Sequence, residues 1–272
     1  MDVLQAVVLG IVQGLTEFLP ISSSAHLLIV PKLLGWPDPG AAFTAVIQLG
    51  TMLAVMIFFW RDVVRIFITW AKSLFNRELR DDLDARMGWY IILGTIPISV
   101  MGLLFHNAIE GPARNLWLNA SMLIVFGILL LLADQMGRKQ KEVPDLTLKD
   151  GLIIGAWQVL PLVPGASRSG STMTGALFLG YTREAAARYS FLLSIPAVWL
   201  SGLYELRKVG EEGGVPFVPT AIATVVSFVV GYASIAWLLR YVAKHSTMIF
   251  VVYRVFAGAF LLTLLTLGLV QA

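Results

Sequence analysis

The amino-acid sequence predicts an all-α polytopic membrane protein, with six transmembrane helices and two re-entrant helical hairpins arranged as an inverted-topology repeat. Three observations predict this fold: the composition, the lengths of the apolar segments, and the repetition of a polar motif. Of the 272 residues, 57% are hydrophobic and only 14% are charged, whereas soluble domains carry about 25% charged residues. A chain of this composition is expected to fold in a lipid bilayer.

Six apolar segments are long enough to cross a bilayer as helices, which takes about 17 to 25 residues. The six segments lie near 41–60, 89–105, 117–133, 188–206, 217–239 and 248–270. An earlier apolar segment, Val3 to Leu19, has no basic region before it and no small-residue cleavage site after it. We therefore expect that segment to be part of the mature protein rather than a signal peptide.

Two further regions each contain a pair of shorter apolar pieces, separated by a break that contains proline or glycine. The pairs are 3–19 with 25–35, and 151–163 with 171–182. Each piece is too short to span the membrane comfortably, and non-helical backbone at membrane depth requires surrounding protein or a water-filled cavity. The sequence therefore predicts two re-entrant hairpins whose breaks line one polar cavity.

An internal repeat relates the two hairpin regions. A shift of 145 residues without a gap aligns five identical pairs: Gly10 with Gly155, Gln13 with Gln158, Leu15 with Leu160, Ser22 with Ser167, and Ser24 with Ser169. The whole chain, 1–272, is then one membrane domain with halves of about 1–140 and 145–272. Each half contains one hairpin and three spans, so the odd number of crossings inverts the second half relative to the first.

The basic residues predict the orientation of the chain in the membrane. Loops 61–88, 134–150 and 240–247 carry twelve Lys and Arg residues, as six, four and two. The loops on the opposite side carry four, namely Lys32, Arg114, Arg207 and Lys208. Because cytoplasmic loops are enriched in basic residues, both termini and the first hairpin are expected outside, and the second hairpin is expected to enter from the cytoplasm. The net charge of +3 reflects this bias, and no nucleic-acid partner is predicted.

The candidate functional residues lie in two polar motifs at the hairpin breaks. The motifs are QGLTEFLPISSSAH at 13–26 and PGASRSGST at 164–172. An unpaired polar group in hydrocarbon costs on the order of several kcal/mol, so we expect these residues to meet a charged ligand. The chain contains no cysteine, which excludes thiol catalysis and thiolate metal sites.

The second motif predicts an anion-binding site. Arg168 supplies a permanent, forked positive charge that suits phosphate oxygens. The other residues expected to bind substrate, through hydroxyl groups, backbone donors or close backbone approach, are Ser167, Ser169, Thr172, Gly165 and Gly170. The alternative is that the small residues only allow close helix packing and the serines cap a helix break. A buried arginine inside the loop favours the anion site.

The first motif predicts nucleophile and proton-transfer chemistry. If the segment after Pro20 is helical, Ser22, Ser23 and His26 lie on one face, so a hydroxyl and the imidazole can meet. Glu17 is either a general base or one oxygen ligand of a hard cation such as Mg²⁺ or Ca²⁺. The alternatives are a hydrogen-bonded packing role for His26 and a buried arginine partner for Glu17. Together with a separate anion site, these residue types favour phosphoryl transfer.

Three polar residues within or beside the spans are expected to serve packing rather than chemistry. Gln48 and Arg254 are predicted to make interhelical hydrogen bonds. Arg188 is predicted to form an ion pair with Glu184, four residues earlier on the same helix.

The motifs resemble those of the bacitracin-resistance family of undecaprenyl-pyrophosphate phosphatases. The similar stretches are GLTEFLPISSSAHL, PGASRSGST, VIQLGT at 46–51 and YSFLLSIP at 189–196, and the resemblance covers nearly the whole chain. Many members of that family have a second glutamate where this chain has Gln13. The amide of Gln13 supplies no carboxylate for a metal site built on two glutamates.

The resemblance implies hydrolysis of undecaprenyl (C55 polyprenyl) diphosphate at the outer face of the bacterial cytoplasmic membrane, which recycles the lipid carrier for peptidoglycan synthesis and confers bacitracin resistance. It implies that Arg168, with the hydroxyl residues beside it, holds the diphosphate and that Glu17 positions Mg²⁺ or Ca²⁺ against it. Either Ser23 or His26 then attacks or activates water. The preferred hypothesis makes Ser23 the nucleophile and His26 its acid/base partner.

A transporter or flippase for polyprenyl phosphates is the alternative function, because secondary carriers share inverted repeats and midplane anion sites. A carrier needs no nucleophile and no acid/base pair, which distinguishes the two hypotheses. Glycines in the spans are compatible with a homodimer, which the sequence alone does not establish.

Overall fold

The computed structural model describes residues 1–110, 112–206 and 216–271. Within them the chain forms α1 (Val3–Thr16), α2 (Ser23–Leu33), α3 (Gly40–Phe58), α4 (Trp60–Ser73), α5 (Leu83–Leu104), α6 (His106–Glu110), α7 (Leu116–Met136), α8 (Leu148–Trp157), α9 (Arg168–Phe178), α10 (Arg183–Leu206), α11 (Phe217–Val242) and α12 (Met248–Thr266). Short 3₁₀ turns occupy Arg77–Leu79, Pro112–Arg114, Val143–Asp145 and Leu160–Leu162. The predicted all-α fold is confirmed. Arg207 and Lys208, which contribute to the predicted charge bias, lie outside the described residues.

Five helices, α3, α5, α7, α11 and α12, are long and apolar enough to cross a membrane. The chain is therefore a polytopic membrane protein, as the composition predicts. The sixth predicted span, 188–206, lies in α10, which has 24 residues but is more polar than the other five.

Polar residues at the helix starts explain where several helices begin. The side chain of Asn115 accepts hydrogen bonds from the backbone of Trp117 and Leu118 at the start of α7. Thr147 caps α8 in the same way through the backbone N–H of Asp150. Such caps satisfy N–H groups that have no partner within the helix.

Both predicted breaks are present, and they share one local conformation. Ser22 caps the start of α2 with φ of 77°, and Ser167 caps the start of α9 with φ of 70°. Positive φ is uncommon for residues other than glycine. Each serine hydroxyl accepts a hydrogen bond from the backbone N–H three residues later, of Ala25 at 3.4 Å and of Gly170 at 3.1 Å.

The helix packing brings the two breaks to the middle of the molecule. α1 packs along α11, α8 along α5, α3 against both α10 and α11, and α7 along α12. Small residues allow these close approaches. A methyl group added at Gly155 would lie 2.5 Å from the carbonyl oxygen of Gly94 on α5, so α8 and α5 touch through their backbones.

One ion pair differs from the sequence prediction. Arg188 on α10 contacts Asp62 on α4 at 3.0 Å, rather than the expected Glu184 on its own helix. Asp62 also accepts a hydrogen bond from Arg65 at 3.0 Å. This ion pair links α10 to α4. Helical spacing predicts only pairs within one helix, so it cannot predict such a tertiary contact.

Candidate active site

The two polar motifs meet at Glu17 and Arg168. Arg168 Nη2 donates to Glu17 Oε1 at 3.0 Å, and Ser169 Oγ donates to the carbonyl of Leu19 at 3.1 Å. Both charged side chains are largely withdrawn from solvent, with 4% of Glu17 and 16% of Arg168 exposed. Residues about 150 positions apart in the sequence are therefore in direct contact, as the repeat predicts.

The second oxygen of Glu17 holds the hydroxyl of Ser23. Ser23 Oγ donates to Glu17 Oε2 at 2.6 Å, and Gln13 Nε2 donates to the same oxygen at 2.9 Å. Hydrogen bonds to an ionised carboxylate are shorter and stronger than neutral ones. A hydroxyl that donates to a carboxylate at this distance has the geometry in which the carboxylate could accept its proton.

Gln48 is a member of the site that the sequence analysis placed among packing residues. Its Oε1 accepts a hydrogen bond from Arg168 Nη2 at 3.1 Å. The bond is interhelical, as predicted, but its donor is the guanidinium of the second motif. The same face of α3 also meets the first motif through Thr51, whose Oγ1 lies 3.4 Å from Gln13 Nε2. A polar amide within an apolar span was the sequence signal for Gln48, but it did not identify the partner.

His26 does not contact Ser23 in the expected way. Its Nδ1 lies 2.7 Å from the carbonyl oxygen of Ser22, and its Nε2 lies 2.6 Å from the hydroxyl of Tyr253 on α12. The imidazole also stacks on the Tyr253 ring, with centroids 5.5 Å apart. Both ring nitrogens are engaged away from Ser23, so the expected Ser23–His26 pair is replaced by a Ser23–Glu17 pair.

The other residues of the second motif divide into two groups. Ser167 faces the cavity beside Arg168, and its Oγ lies 3.3 Å from Ser169 Oγ. Thr172 turns away: its hydroxyl donates to the carbonyl of Arg168 at 2.8 Å and lies 2.5 Å from Ser190 Oγ.

The two glycines of the second motif make room for protein rather than for the cavity. A methyl group added at Gly165, where φ is +98°, would lie 2.5 Å from the carbonyl oxygen of Asn119 on α7. At Gly170 the added methyl would lie 2.8 Å from Arg254 Nη1. The close backbone approach that the glycines predict is present, but its partners are α7 and an arginine.

A cavity of about 460 Å³ opens onto Glu17, Ser23 and Arg168. Its polar end is formed by residues of both motifs, and its walls come from α3, α5 and α10. The apolar wall residues include Ala41, Ala45, Ile98, Leu103, Ala197 and Leu200. Arg114 and Glu205 also line it. A cavity that combines charged side chains with a largely apolar lining suits a ligand with an anionic head and a hydrocarbon tail.

The donor set does not fit a divalent cation held by the protein alone. Both oxygens of Glu17 already accept hydrogen bonds, and one of the donors is the guanidinium of Arg168, which would repel a cation. Among the residues that the structure describes, no group of three or more His, Cys, Asp or Glu residues could hold a metal ion.

Comparison with known proteins agrees with this geometry. Residues 6–260 match the family model described as "Bacitracin resistance protein BacA". The chain is 54% identical to an "Undecaprenyl-diphosphatase" of Thermobifida fusca, over 98% of this chain and 92% of the relative. It is 55% identical to the protein of the same name in Renibacterium salmoninarum, over 100% of this chain and 99% of the relative. The same name belongs to a Pseudarthrobacter chlorophenolicus protein that is 54% identical over the full length of both chains. The chain therefore belongs to the bacitracin resistance protein BacA family.

Proposed function

We propose that the protein is an undecaprenyl-diphosphatase, which hydrolyses undecaprenyl diphosphate to undecaprenyl phosphate and inorganic phosphate. The observation that carries this proposal is the contact of Glu17 with both Ser23, at 2.6 Å, and Arg168, at 3.0 Å, beside a cavity with apolar walls. The names of the full-length relatives support the substrate. A transporter or flippase needs no hydroxyl activated by a carboxylate, so the Ser23–Glu17 contact favours the enzyme.

In the proposed reaction, Ser23 Oγ attacks the terminal phosphorus of the diphosphate while Glu17 accepts the hydroxyl proton. The bond from that phosphorus to the bridging oxygen breaks, and undecaprenyl phosphate leaves. Water then hydrolyses the phosphoserine to restore Ser23 and release phosphate. The leaving group is a phosphate monoester with a second pKa near 6, roughly, so it departs as an anion without a general acid.

Arg168 stabilises the charge that develops during this transfer. Phosphoryl transfer spreads negative charge over the non-bridging oxygens, and a fixed cation in a site of low dielectric constant stabilises that charge strongly. Gln48 and Glu17 hold the guanidinium in place through Nη2. The remaining N–H groups of Arg168 are available for the phosphate oxygens.

Phosphate release by purified protein in detergent tests the proposal. We expect the protein to release phosphate from undecaprenyl diphosphate, and farnesyl diphosphate measures how much the long tail contributes. Absence of phosphate release from both substrates would refute the function.

The same assay, run with and without a chelator, tests for a divalent cation. The resemblance implies Mg²⁺ or Ca²⁺, whereas the side chains of the site do not fit a cation held by the protein alone. Full activity in the presence of chelator would show that the reaction needs no divalent cation.

We also propose the finer architecture that the sequence predicts: six spans, two re-entrant hairpins, and inverted halves of about 1–140 and 145–272. Ser22 and Ser167, 145 residues apart, support it because both cap a helix at positive φ. Each hydroxyl also lies 3.2 to 3.3 Å from the serine two residues later. α1 packs on α11 and α8 packs on α5; these contacts are equivalent, because α8 is the counterpart of α1 and α11 is the counterpart of α5. The homodimer stays a prediction.

Cysteine labelling tests this topology, because the chain contains no cysteine of its own. Leu34→Cys at the end of α2 should react with an impermeant maleimide added outside intact cells. Phe75→Cys, at a residue that is 92% exposed, and Glu184→Cys at the start of α10 should react only after permeabilisation. The cysteine-free protein is the control. Outside labelling of Glu184→Cys would mean that the second polar region crosses the membrane instead of returning.

His26 is proposed to position Ser23 rather than to transfer protons. A carbonyl oxygen only accepts hydrogen bonds, so Nδ1 donates to Ser22, and in a neutral imidazole Nε2 then accepts from Tyr253. His26→Asn keeps an amide donor near the Nδ1 position and should retain kcat within about tenfold, as expected for one altered hydrogen bond. His26→Leu should lose more. A pH–rate profile separates the roles: loss of one limb of the profile in His26→Asn would indicate an acid/base role instead.

A further inference from the structure

Arg254 on α12 is fully buried, with 0% of its surface exposed, and none of the ion pairs within the described residues includes it. Its nitrogens donate instead to five backbone carbonyls. The acceptors are Leu123 at 3.1 Å, Met122 at 3.4 Å, Pro20 at 3.0 Å, Gly165 at 2.9 Å and Ala166 at 3.1 Å. They belong to α7, to the first break and to the second break.

The carbonyls at the two breaks need such a donor. Where a helix is interrupted, carbonyl groups lose the N–H partner that the next turn would supply. Inside a membrane protein there is little water to replace that partner. The guanidinium of Arg254 offers five N–H donors in one rigid plane, so a single side chain satisfies carbonyls from both breaks at once.

These carbonyls lie close in sequence to the reacting groups. Pro20 is three residues after Glu17 and three before Ser23, and Ala166 is two residues before Arg168. Arg254 therefore joins the backbone that carries the base and the nucleophile to the backbone that carries the phosphate-binding guanidinium.

Two glycines make the space that Arg254 occupies. An added methyl group at Gly127 on α7 would lie 3.2 Å from Arg254 Cβ, and one at Gly170 on α9 would lie 2.8 Å from Arg254 Nη1. The guanidinium is thus enclosed between α7 and α9. It is also absent from the residues that line the cavity, so it is placed to act on the breaks and not on the ligand.

We infer that Arg254 is a positioning residue of the phosphatase, which holds the two breaks in register and so sets the 3.0 Å contact between Glu17 and Arg168. This inference rests on the proposed function. Arg254 is expected to act on the geometry of the site, and a misplacement of about 1 Å at a reacting centre can cost about 100-fold in rate.

The test is kcat and KM for phosphate release from undecaprenyl diphosphate by wild type, Arg254→Lys and Arg254→Met. Lysine keeps the positive charge but not the planar fork. We expect Arg254→Lys to lower kcat by about 100-fold with KM within about threefold of wild type. The matched control is Arg188→Met, which removes a half-exposed arginine outside the site and should retain wild-type kcat. A near-normal kcat in Arg254→Lys, or a rise in KM alone, would overturn the inference.

A double variant separates positioning from a general loss of structure. In an Arg168→Lys background, where the guanidinium that needs alignment is already missing, Arg254→Lys should cost less than about tenfold. Multiplicative losses would show that Arg254 only supports the fold.

If neither Arg254 variant folds, Gly170→Ala is the alternative test, because the added methyl group pushes against Arg254 Nη1. Gly170→Ala should lower kcat by about tenfold, and a wild-type kcat in this variant would count against the inference. Inactive wild-type protein would refute the proposed function, which is a different result.

Discussion

Ser23→Ala is expected to lower kcat for phosphate release by at least about 10³-fold, because it removes the proposed nucleophile and leaves the Glu17 carboxylate without its 2.6 Å hydrogen-bond donor. The measurement is steady-state phosphate release from undecaprenyl diphosphate. Rapid acid quench of wild type followed by mass spectrometry should detect phosphate on Ser23. Ser121→Ala, at an exposed serine on α7 that bonds only its own helix, is the control.

Glu17→Gln should lose about as much activity as Ser23→Ala, and the double variant should lose little more, since a nucleophile and its base act as a unit. Near-normal phosphate release by Ser23→Ala would end the assignment of Ser23 as nucleophile. The fold and the anion site would be unaffected by that result.

Arg168→Ala is expected to lower kcat by about 10² to 10³-fold, the usual cost of removing a group that stabilises developing charge. Ser169→Ala should cost less than about tenfold, because its hydroxyl donates to the backbone of Leu19 at 3.1 Å instead of facing the cavity. Equal losses in the two variants would argue against Arg168 as the main phosphate-binding group.

The stability of the Arg168 variants is measured by thermal unfolding of the detergent-solubilised proteins. Arg168→Ala leaves Glu17 buried without its cationic partner, and an uncompensated buried charge of this kind destabilises by about 3 to 5 kcal/mol. Arg168→Lys keeps the charge and is the control for stability. Its kcat should still fall, since an ammonium group lacks the fork that matches phosphate oxygens.

The elements that the sequence predicts well are those that depend on local composition. The apolar spans follow from segment length, and the breaks follow from Pro20 and the glycines of the second motif. The contact between Glu17 and Arg168 was predicted from the proposed repeat, which places the two motifs at equivalent positions of the two halves. The alternative that the sequence analysis gave for Glu17, a buried arginine partner, is present as this same contact with Arg168.

The predicted Ser23–His26 pair is not formed, although both residues lie in α2. If the helix began just after Pro20, Ser22, Ser23 and His26 would share a face. The helix begins at Ser23 instead, and Ser22 caps it with φ of 77°. Ser23 and His26 are still three residues apart in α2, but the Ser23 hydroxyl donates to Glu17, while the His26 ring contacts Ser22 and Tyr253. Positive φ at a serine leaves no pattern in the sequence.

Arg254 and Tyr253 lie more than 200 residues from the first motif in the sequence. A single polar residue within an apolar span predicts an interhelical hydrogen bond but does not name its partner. The same limit applies to Gly170, whose small size indicates a close neighbour without showing that the neighbour is Arg254.

The caps at Ser22 and Ser167 have an electrostatic consequence. They start two helices, α2 and α9, whose first residues, Ser23 and Arg168, both border the cavity. Each helix start carries a partial positive charge of about half a unit, so two like poles lie beside the same cavity. The carboxylate of Glu17, which contacts both Ser23 and Arg168, offsets part of this repulsion, and a bound diphosphate would offset more of it. Binding the anionic head group would therefore relieve a repulsion that the fold itself creates.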